Sequence, residues 1–276
     1  MAERDAASPG TPDDTDPGAP QPDDTDSGAP QLDDAYFDVM ATQAQVHWWY
    51  RARRALVADL LAGRVASGAR VIDVGCGTGD NLGALEEIVG RTVVGVELSP
   101  YAIRHAPRTA AGDGRVGVSR AEHLPFATGS ADLITSMDVI EHLDDAAALA
   151  EYRRVLRPGG LALLTVPAYP WLWSHHDDWA AHLRRYTRPT LVDAVTRAGL
   201  RPLRTTYFNS FLVPPAAVMR RTPVRRLITV EQDEVGASSP FVDRVMTALA
   251  RAERGWARRG RGVPFGLSIV TLAERT

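Results

Sequence analysis

The spacing of hydrophobic and polar positions changes along the chain, and each change marks an element. Residues 34–63, "DAYFDVMATQAQVHWWYRARRALVADLLAG", carry apolar residues at helical intervals and end on a glycine, which predicts one or two helices. Short β-rich runs then alternate with helical segments. "ARVIDVG" reads as a strand, "DNLGALEEIVG" as a helix and "TVVGVELS" as a second strand, with Ser99 and Pro100 as the cap and first position of the next helix. "GRVGVSRA" and "ADLITSM" read as the third and fourth strands, "DDAAALAEYRRVL" as a helix closed by "RPGG", and "LALLTVP" as the fifth strand. Further on, "TRPTLVDAVTRAGL" predicts a helix capped by Thr187 and "RPLRTTYF" a strand. "LVPPAAVMRR" and "FVDRVMTALARAERGWARR" then predict helices, and "GLSIVTLAE" a last strand. This order predicts an α/β fold: a mostly parallel sheet, helices on both faces, ligands at the carboxyl ends of the strands. The stretch 168–187 is too long for a tight connection there and predicts a lid insertion.

Residues 1–33 lack such periodicity. "PDDTDPGAPQ" is followed directly by "PDDTDSGAPQ", and this acidic, Pro- and Gly-rich repeat predicts a disordered tail before a single domain, 34–276. Within that domain, 34–66 are expected to form cap helices. The net charge of -3 hides an asymmetry: residues 1–34 carry -9 and the remainder +6. Every basic residue besides histidine is arginine, which a coding bias explains more simply than anion binding. One cysteine, Cys76, excludes an intrachain disulfide and suits a reducing cytoplasm. No apolar run approaches the roughly 20 residues of a membrane span, and no secretory signal is evident.

The most informative run is "VIDVGCGTGDN". A strand ends in Asp73; Gly75, Gly77 and Gly79 then allow a tight turn and close approach of a ligand before a helix N-terminus. The spacing is G-x-G-x-G, not the dinucleotide G-x-G-x-x-G, which speaks against a nicotinamide oxidoreductase. An acid two residues before the first glycine repels pyrophosphate and suits an amino group and a sulfonium. Glu97 ends the second strand, where a carboxylate can accept from both ribose hydroxyls.

Taken together, "VIDVGCGTG", "VVGVELS", "AEHLPFATGSADLITSMDVIEHL" and "LRPGGLALLTVP" resemble successive motifs of the class I S-adenosylmethionine-dependent methyltransferases, over about residues 70–167. The resemblance implies a Rossmann-like seven-stranded sheet whose last strand is antiparallel, with S-adenosylmethionine as cofactor. It implies that Asp73, Gly75, Gly77 and Gly79, with Cys76 between them, hold the methionine part, that Glu97 holds the ribose and that Leu98 lies against the adenine. Where the family often has Gly-Asp-Ala-Glu, this chain has Ser119-Arg120-Ala121-Glu122. Arg120 cannot accept a bond from the adenine amino group, so the ring is expected on backbone near Ala121, on Ser119, or stacked under Arg120. Met137 and Asp138, after the fourth strand, are expected to face the methyl group. "HWWYRARR" resembles the front of one subgroup: Trp49 near the sulfonium and Arg53 on a carboxylate is one reading, an amphipathic helix with core tryptophans the other.

The run "YPWLWSHHDDWAAHLRRYT" resembles the insert of the same subgroup. Trp171 and Trp173 are expected to offer apolar surface to a substrate, with Asp177 and Tyr186 beside them. For a hydroxyl acceptor a base is needed, and His176 or His182 is the candidate, with Asp177 orienting it. His142 is a further candidate, or a structural histidine bonding backbone. A zinc site drawn from His176, Asp178 and His182 is not expected, because His176 would leave the face shared by the other two. The expected activity is methylation of a small, partly apolar molecule, such as a natural-product intermediate, a lipid-linked molecule or a quinone-like ring. The alternatives are a non-methylating rearrangement or cyclisation on the same fold, and a binding module recruited through the acidic tail. No run resembles a flipped-base pocket, so nucleic acid is not expected as a partner. Membrane contact through "FLVPPAAVMRRTPVRR" is disfavoured by its two prolines. A homo-oligomer is left open.

Overall fold

The computed structural model describes residues 32, 34–106, 115–221, 239–260 and 262–276. All of the acidic tail but Leu32, and Arg225 and Arg226 of the basic apolar stretch, lie outside the described residues. Seven strands form one sheet: β1 (Val71–Val74), β2 (Val94–Glu97), β3 (Val116–Val118), β4 (Ala131–Met137), β5 (Leu156–Pro167), β6 (Leu200–Phe208) and β7 (Ser268–Arg275). Their order is β3-β2-β1-β4-β5-β7-β6. Strands β1 to β5 pair in parallel, and β7 runs antiparallel to both of its neighbours. The strand order reverses between β1 and β4, which opens a crevice at their carboxyl ends.

Strand β1 shows how the sheet makes two cores. Ile72 and Val74 face a cluster with Leu149 and Tyr152, whereas Val71 faces the other side with Leu56, Leu60, Leu85, Leu133 and Leu163. Asp73 alternates with Ile72 and Val74, so its carboxylate enters the second core. Helices α2 (Trp48–Leu61) and α3 (Leu82–Val89) cover that face, while α5 (Asp145–Val155) and α7 (Arg188–Arg197) cover the first. Ser99 caps α4 (Pro100–His105) by accepting from Ala102 N at 3.2 Å, and Thr187 caps α7 by accepting from Thr190 N at 3.3 Å.

Two details differ from the sequence pattern. Strand β5 begins at Leu156 and not at Leu161, because a register shift lets both Leu156 and Leu161 pair with β4. Gly160 permits it: a Cβ there would lie 2.8 Å from the Arg157 carbonyl. The N-terminal segment breaks into α1 (Asp34–Gln43) and α2, with His47 capping the second through a 3.3 Å bond from Trp49 N. Helix α1 docks on α4, where Asp38 accepts from the Tyr101 hydroxyl at 2.8 Å. Helix α2 is tied to α9 (Pro240–Arg258) by Arg51–Asp243 at 2.6 Å and Arg254–Asp59 at 2.5 Å. The lid region holds one short helix, α6 (His175–Trp179), and α8 (Val213–Arg221) follows β6. Among the described residues no helix is long and apolar enough to cross a membrane.

Candidate active site

The loop after β1 sits in the crevice between β1 and β4. Gly75, Gly77 and Gly79 all have left-handed backbones, with φ of 68°, 53° and 75°. A Cβ on Gly75 would come within 2.3 Å of Val139, so only glycine fits there. Three carboxylates surround this loop. Asp73 is buried; its Oδ1 accepts from the Thr135 hydroxyl at 2.5 Å and its Oδ2 has no partner. Burial pushes its pKa up to about 7, against the lowering effect of Thr135. Glu97 accepts from Ser99 N through Oε1 and from Gly77 N through Oε2, each at 3.0 Å. Burial raises its pKa and those amide bonds lower it. Asp80, which the sequence reading passed over, is buried 3.5 Å from Arg54; burial raises its pKa, and Arg53 and Arg54 oppose that. Cys76, in their midst, has its thiol pushed up by burial and then by these three acids. The three acids form a concentration of negative charge with unsatisfied lone pairs, suited to a cationic ligand.

At the adenine end, Leu98 is exposed, Ala121 is buried and Ser119 N donates to the Glu97 carbonyl at 2.9 Å. Arg120 lies 3.6 Å from Glu122 and is half exposed. At the other end, Met137 closes β4 and Asp138 takes a left-handed backbone, φ 58°. Arg53 does not await a ligand carboxylate, as one reading had it. Its guanidinium is paired inside the protein with Asp138 at 2.5 Å and lies over the Trp49 ring, 4.5 Å from its centre. Asp138 also accepts from the Thr165 hydroxyl at 3.1 Å. Tyr36 of α1 enters the same place. Its pKa is raised by burial and then by Tyr50, Asp138 and Glu141. Its ring meets Trp179 of the lid at 4.9 Å, so α1 and the lid touch.

The lid is tied by Asp177, which is wholly buried. Its carboxylate accepts from Ser174 N at 2.7 Å, from His182 Nδ1 at 2.9 Å, and from Arg185 at 2.5 and 3.0 Å. Burial alone would raise its pKa, but His182 and Arg185 hold it well below the usual carboxylate range. Arg185 in turn donates to the Ala168 carbonyl at 3.0 Å. Asp177 and Tyr186, expected beside a substrate, are therefore used by the fold; Tyr186 is buried and donates to Asp145 at 2.7 Å. Trp171 and Trp173 are exposed. His182 does not share a helix face with Asp178, because α6 ends at Trp179. Its ring stands 4.8 Å from that of His142 and 6.2 Å from that of His176, so all three histidines gather under the lid. His142 follows Asp138 in a tight 3-10 turn, Ile140–His142, and burial, then His182, push its pKa down to about 4.

This loop, with acids before and after its glycines on a β3-β2-β1-β4-β5-β7-β6 sheet, is matched by a family described as a methyltransferase domain, over residues 72–164. That match falls on the stretch whose motifs resemble the class I S-adenosylmethionine-dependent methyltransferases. Among similar proteins, 2-methyl-6-phytyl-1,4-hydroquinone methyltransferase of Synechocystis is 31% identical over 127 residues, covering 45% of this chain and 38% of that one. An uncharacterized methyltransferase of Mycobacterium sp. strain JLS is 38% identical over 145 residues, covering 49% and 57%. The chain spans about half the length of the curated relatives it matches. In fold it is similar to geranyl diphosphate C-methyltransferase of Streptomyces coelicolor, with a TM-score of 0.52, 17% identity, and coverage of 80% of this chain and 77% of that one. The residues present fit S-adenosylmethionine: a turn that only glycine can make, ringed by buried acids, accepts a cation bearing an amino group.

Proposed function

We propose that the protein transfers a methyl group to a small, partly apolar acceptor, a natural-product or lipid-like intermediate. The observation that carries this reading is the ring of Asp73, Asp80 and Glu97 around the left-handed glycine turn at the sheet's switch point. S-adenosylmethionine supplies an electrophilic methyl group on a sulfonium. The Gly75, Gly77 and Gly79 backbone and Asp73, with Cys76 between, hold the methionine part, and Glu97 takes the ribose hydroxyls with its remaining lone pairs. Leu98, Ala121 and Arg120 border the adenine. Met137, Asp138 and Trp49 line the methyl end, and Arg53 fixes Asp138 there. The lid over residues 168–187 excludes water and offers Trp171 and Trp173 to the acceptor. An acceptor proton passes to the imidazoles under the lid, His142, His176 and His182, of which His182 is oriented by Asp177. The aromatic lid and the kinship with a phytyl-hydroquinone methyltransferase support a ring-bearing or prenylated acceptor.

Calorimetry with S-adenosylmethionine and S-adenosylhomocysteine tests the reading. Glu97→Ala should weaken both by about 10- to 100-fold, the worth of one or two hydrogen bonds to a charged group. A wild-type protein that binds neither, with its melting transition intact, would sink the reading. Formation of S-adenosylhomocysteine in the presence of prenylated phenols then distinguishes methyl transfer from a rearrangement on the same fold.

A further inference from the structure

Among the described residues, Glu141 is the one fully buried acid that the proposed methyl transfer does not use. Its exposure is 0%, and neither carboxylate oxygen has a hydrogen-bond partner beyond a contact from its own backbone N–H. A buried carboxylate left in that state requires a proton or a cation. Facing it are two imidazoles, while the Asp138 carboxylate and the Arg185 and Arg53 guanidiniums act on it without a hydrogen bond. His182 Nε2 stands 4.0 Å from Glu141 Oε1, too far for a hydrogen bond. One ligand atom from each of Glu141, His142 and His182 lies within 4.8 Å of the others.

We infer that Glu141, His142 and His182 form a binding site for one divalent transition-metal ion of the zinc class. The outward sides of the two rings support this. His182 Nδ1 is 2.9 Å from Asp177 Oδ1, so with the proton on Nδ1 the Nε2 lone pair points inward. His142 Nδ1 is 3.3 Å from the Ala181 carbonyl, and the Asp138 carbonyl borders the same ring. Metal-bound histidines have this arrangement: one ring nitrogen donates to a carboxylate or carbonyl, which fixes the ring and leaves the other nitrogen as ligand. Two imidazoles and one carboxylate are borderline donors that suit zinc, iron, cobalt or nickel better than magnesium or calcium. Atoms about 2.1 Å from one ion lie ~3.4 Å apart in a tetrahedron, so the widest pair, at most 4.8 Å apart, needs to close by up to about 1.4 Å. The parts are already tied together, since Leu183 N donates to the Glu141 carbonyl at 2.8 Å and so pins the lid to the 3-10 turn. The chain supplies three ligands and leaves a fourth position for water or an acceptor oxygen. With the ion in place His142 and His182 are ligands, and proton transfer under the lid falls to His176.

The test uses the full chain freed of metal by a chelator and titrated with Zn2+ by calorimetry, beside Glu141→Gln. The expected result is one ion per chain for the wild type and affinity lowered at least 100-fold in the variant. The glutamine keeps the size of the side chain without its charge, so the metal-free variant should melt no lower than the metal-free wild type. Zn2+ should raise the melting temperature of the wild type alone. Visible absorption of the Co2+-loaded wild type should report an ordered nitrogen and oxygen site, absent from His182→Asn. Equal zinc binding by wild type and Glu141→Gln would place the ion elsewhere, for instance on the acidic segment 1–34, and overturn the inference. So would a wild type that takes up no zinc, which would mean that Glu141 carries a proton. Binding of S-adenosylhomocysteine by the metal-free protein is read separately, so failure of the metal site and failure of the methyltransferase reading are distinguishable.

Discussion

Asp73 carries an unusual burden for a single residue. A carboxyl whose pKa is raised in the folded chain, here to about 7, binds its proton more tightly there than in the unfolded chain. Its stabilising contribution is fully present below the unfolded value of about 3.9 and is lost as pH rises through 7. Asp73→Asn should therefore melt above the wild type at pH 8, by an amount on the order of a few kcal/mol, and the gap should narrow below pH 7. Melting curves at pH 5, 7 and 8 check this; a gap that stays constant with pH would mean that Asp73 is not the titrating group. The positions of Asp73 and its glycines were legible in the sequence because each answers a local demand of the turn: left-handed φ at Gly75, Gly77 and Gly79, and for Asp73 a place near the close of a strand that ends one residue later, at Val74. Asp80 had a local signal too, an acid directly after the last glycine. The Arg53–Asp138 pair had none. Its partners stand 85 positions apart, and only the packing of α2 against the end of β4 brings them together.

At the scale of elements, the first helix and the segment 168–187 touch, and we propose that they act as one cover. Tyr36 and Trp179 meet edge to face, and such a pair contributes about 0.5–1.5 kcal/mol beyond its buried area. Trp179→Ala should make the lid open roughly 2- to 10-fold more often. Limited proteolysis within residues 168–187 should show that increase, with the melting temperature little changed. An unchanged cleavage rate would mean that α1 does not hold the lid shut. Helix and strand periods located most elements well, because strands buried on both faces and capped helices write themselves into short windows. The length of the segment 168–187 was legible, but not its wiring. A histidine at 182 bonded to an aspartate at 177, and an arginine at 185 spanning back to residue 168, depend on a chain reversal after α6, where Ala181 turns left-handed with φ 51°. No periodicity encodes such a turn. The start of β5 was misread for a related reason: "RPGG" is turn chemistry, yet here the register shift beside β4 absorbs it into the strand.

For the molecule as a whole, we propose that residues 34–276 fold as one domain without the acidic repeat. Removal of residues 1–33 should leave the melting temperature within about 2 °C and the affinity for S-adenosylhomocysteine within about 2-fold. A larger loss in either would mean that the repeat packs on the domain. The fold class itself was the easiest property to read, since helices separate β1 from β2, β2 from β3 and β4 from β5. The strand order was not in the periodicity, and only the motif resemblance implied that the last strand reverses direction.

That reversed strand has a consequence for synthesis. Strand β7 lies between β5 and β6 and pairs with both along nearly its whole length. Until residues 268–275 emerge from the ribosome, β5 and β6 each present an unpaired edge, and the half of the sheet built on them has no middle. The nascent chain thus makes strands β1 to β4 early and must shelter the β5 edge for about a hundred further residues, and β6 for about sixty, before β7 arrives. Its vulnerable period is set by a single late segment, and a ribosome stalled shortly before codon 268 would leave a product whose β6 is detached from the rest of the sheet.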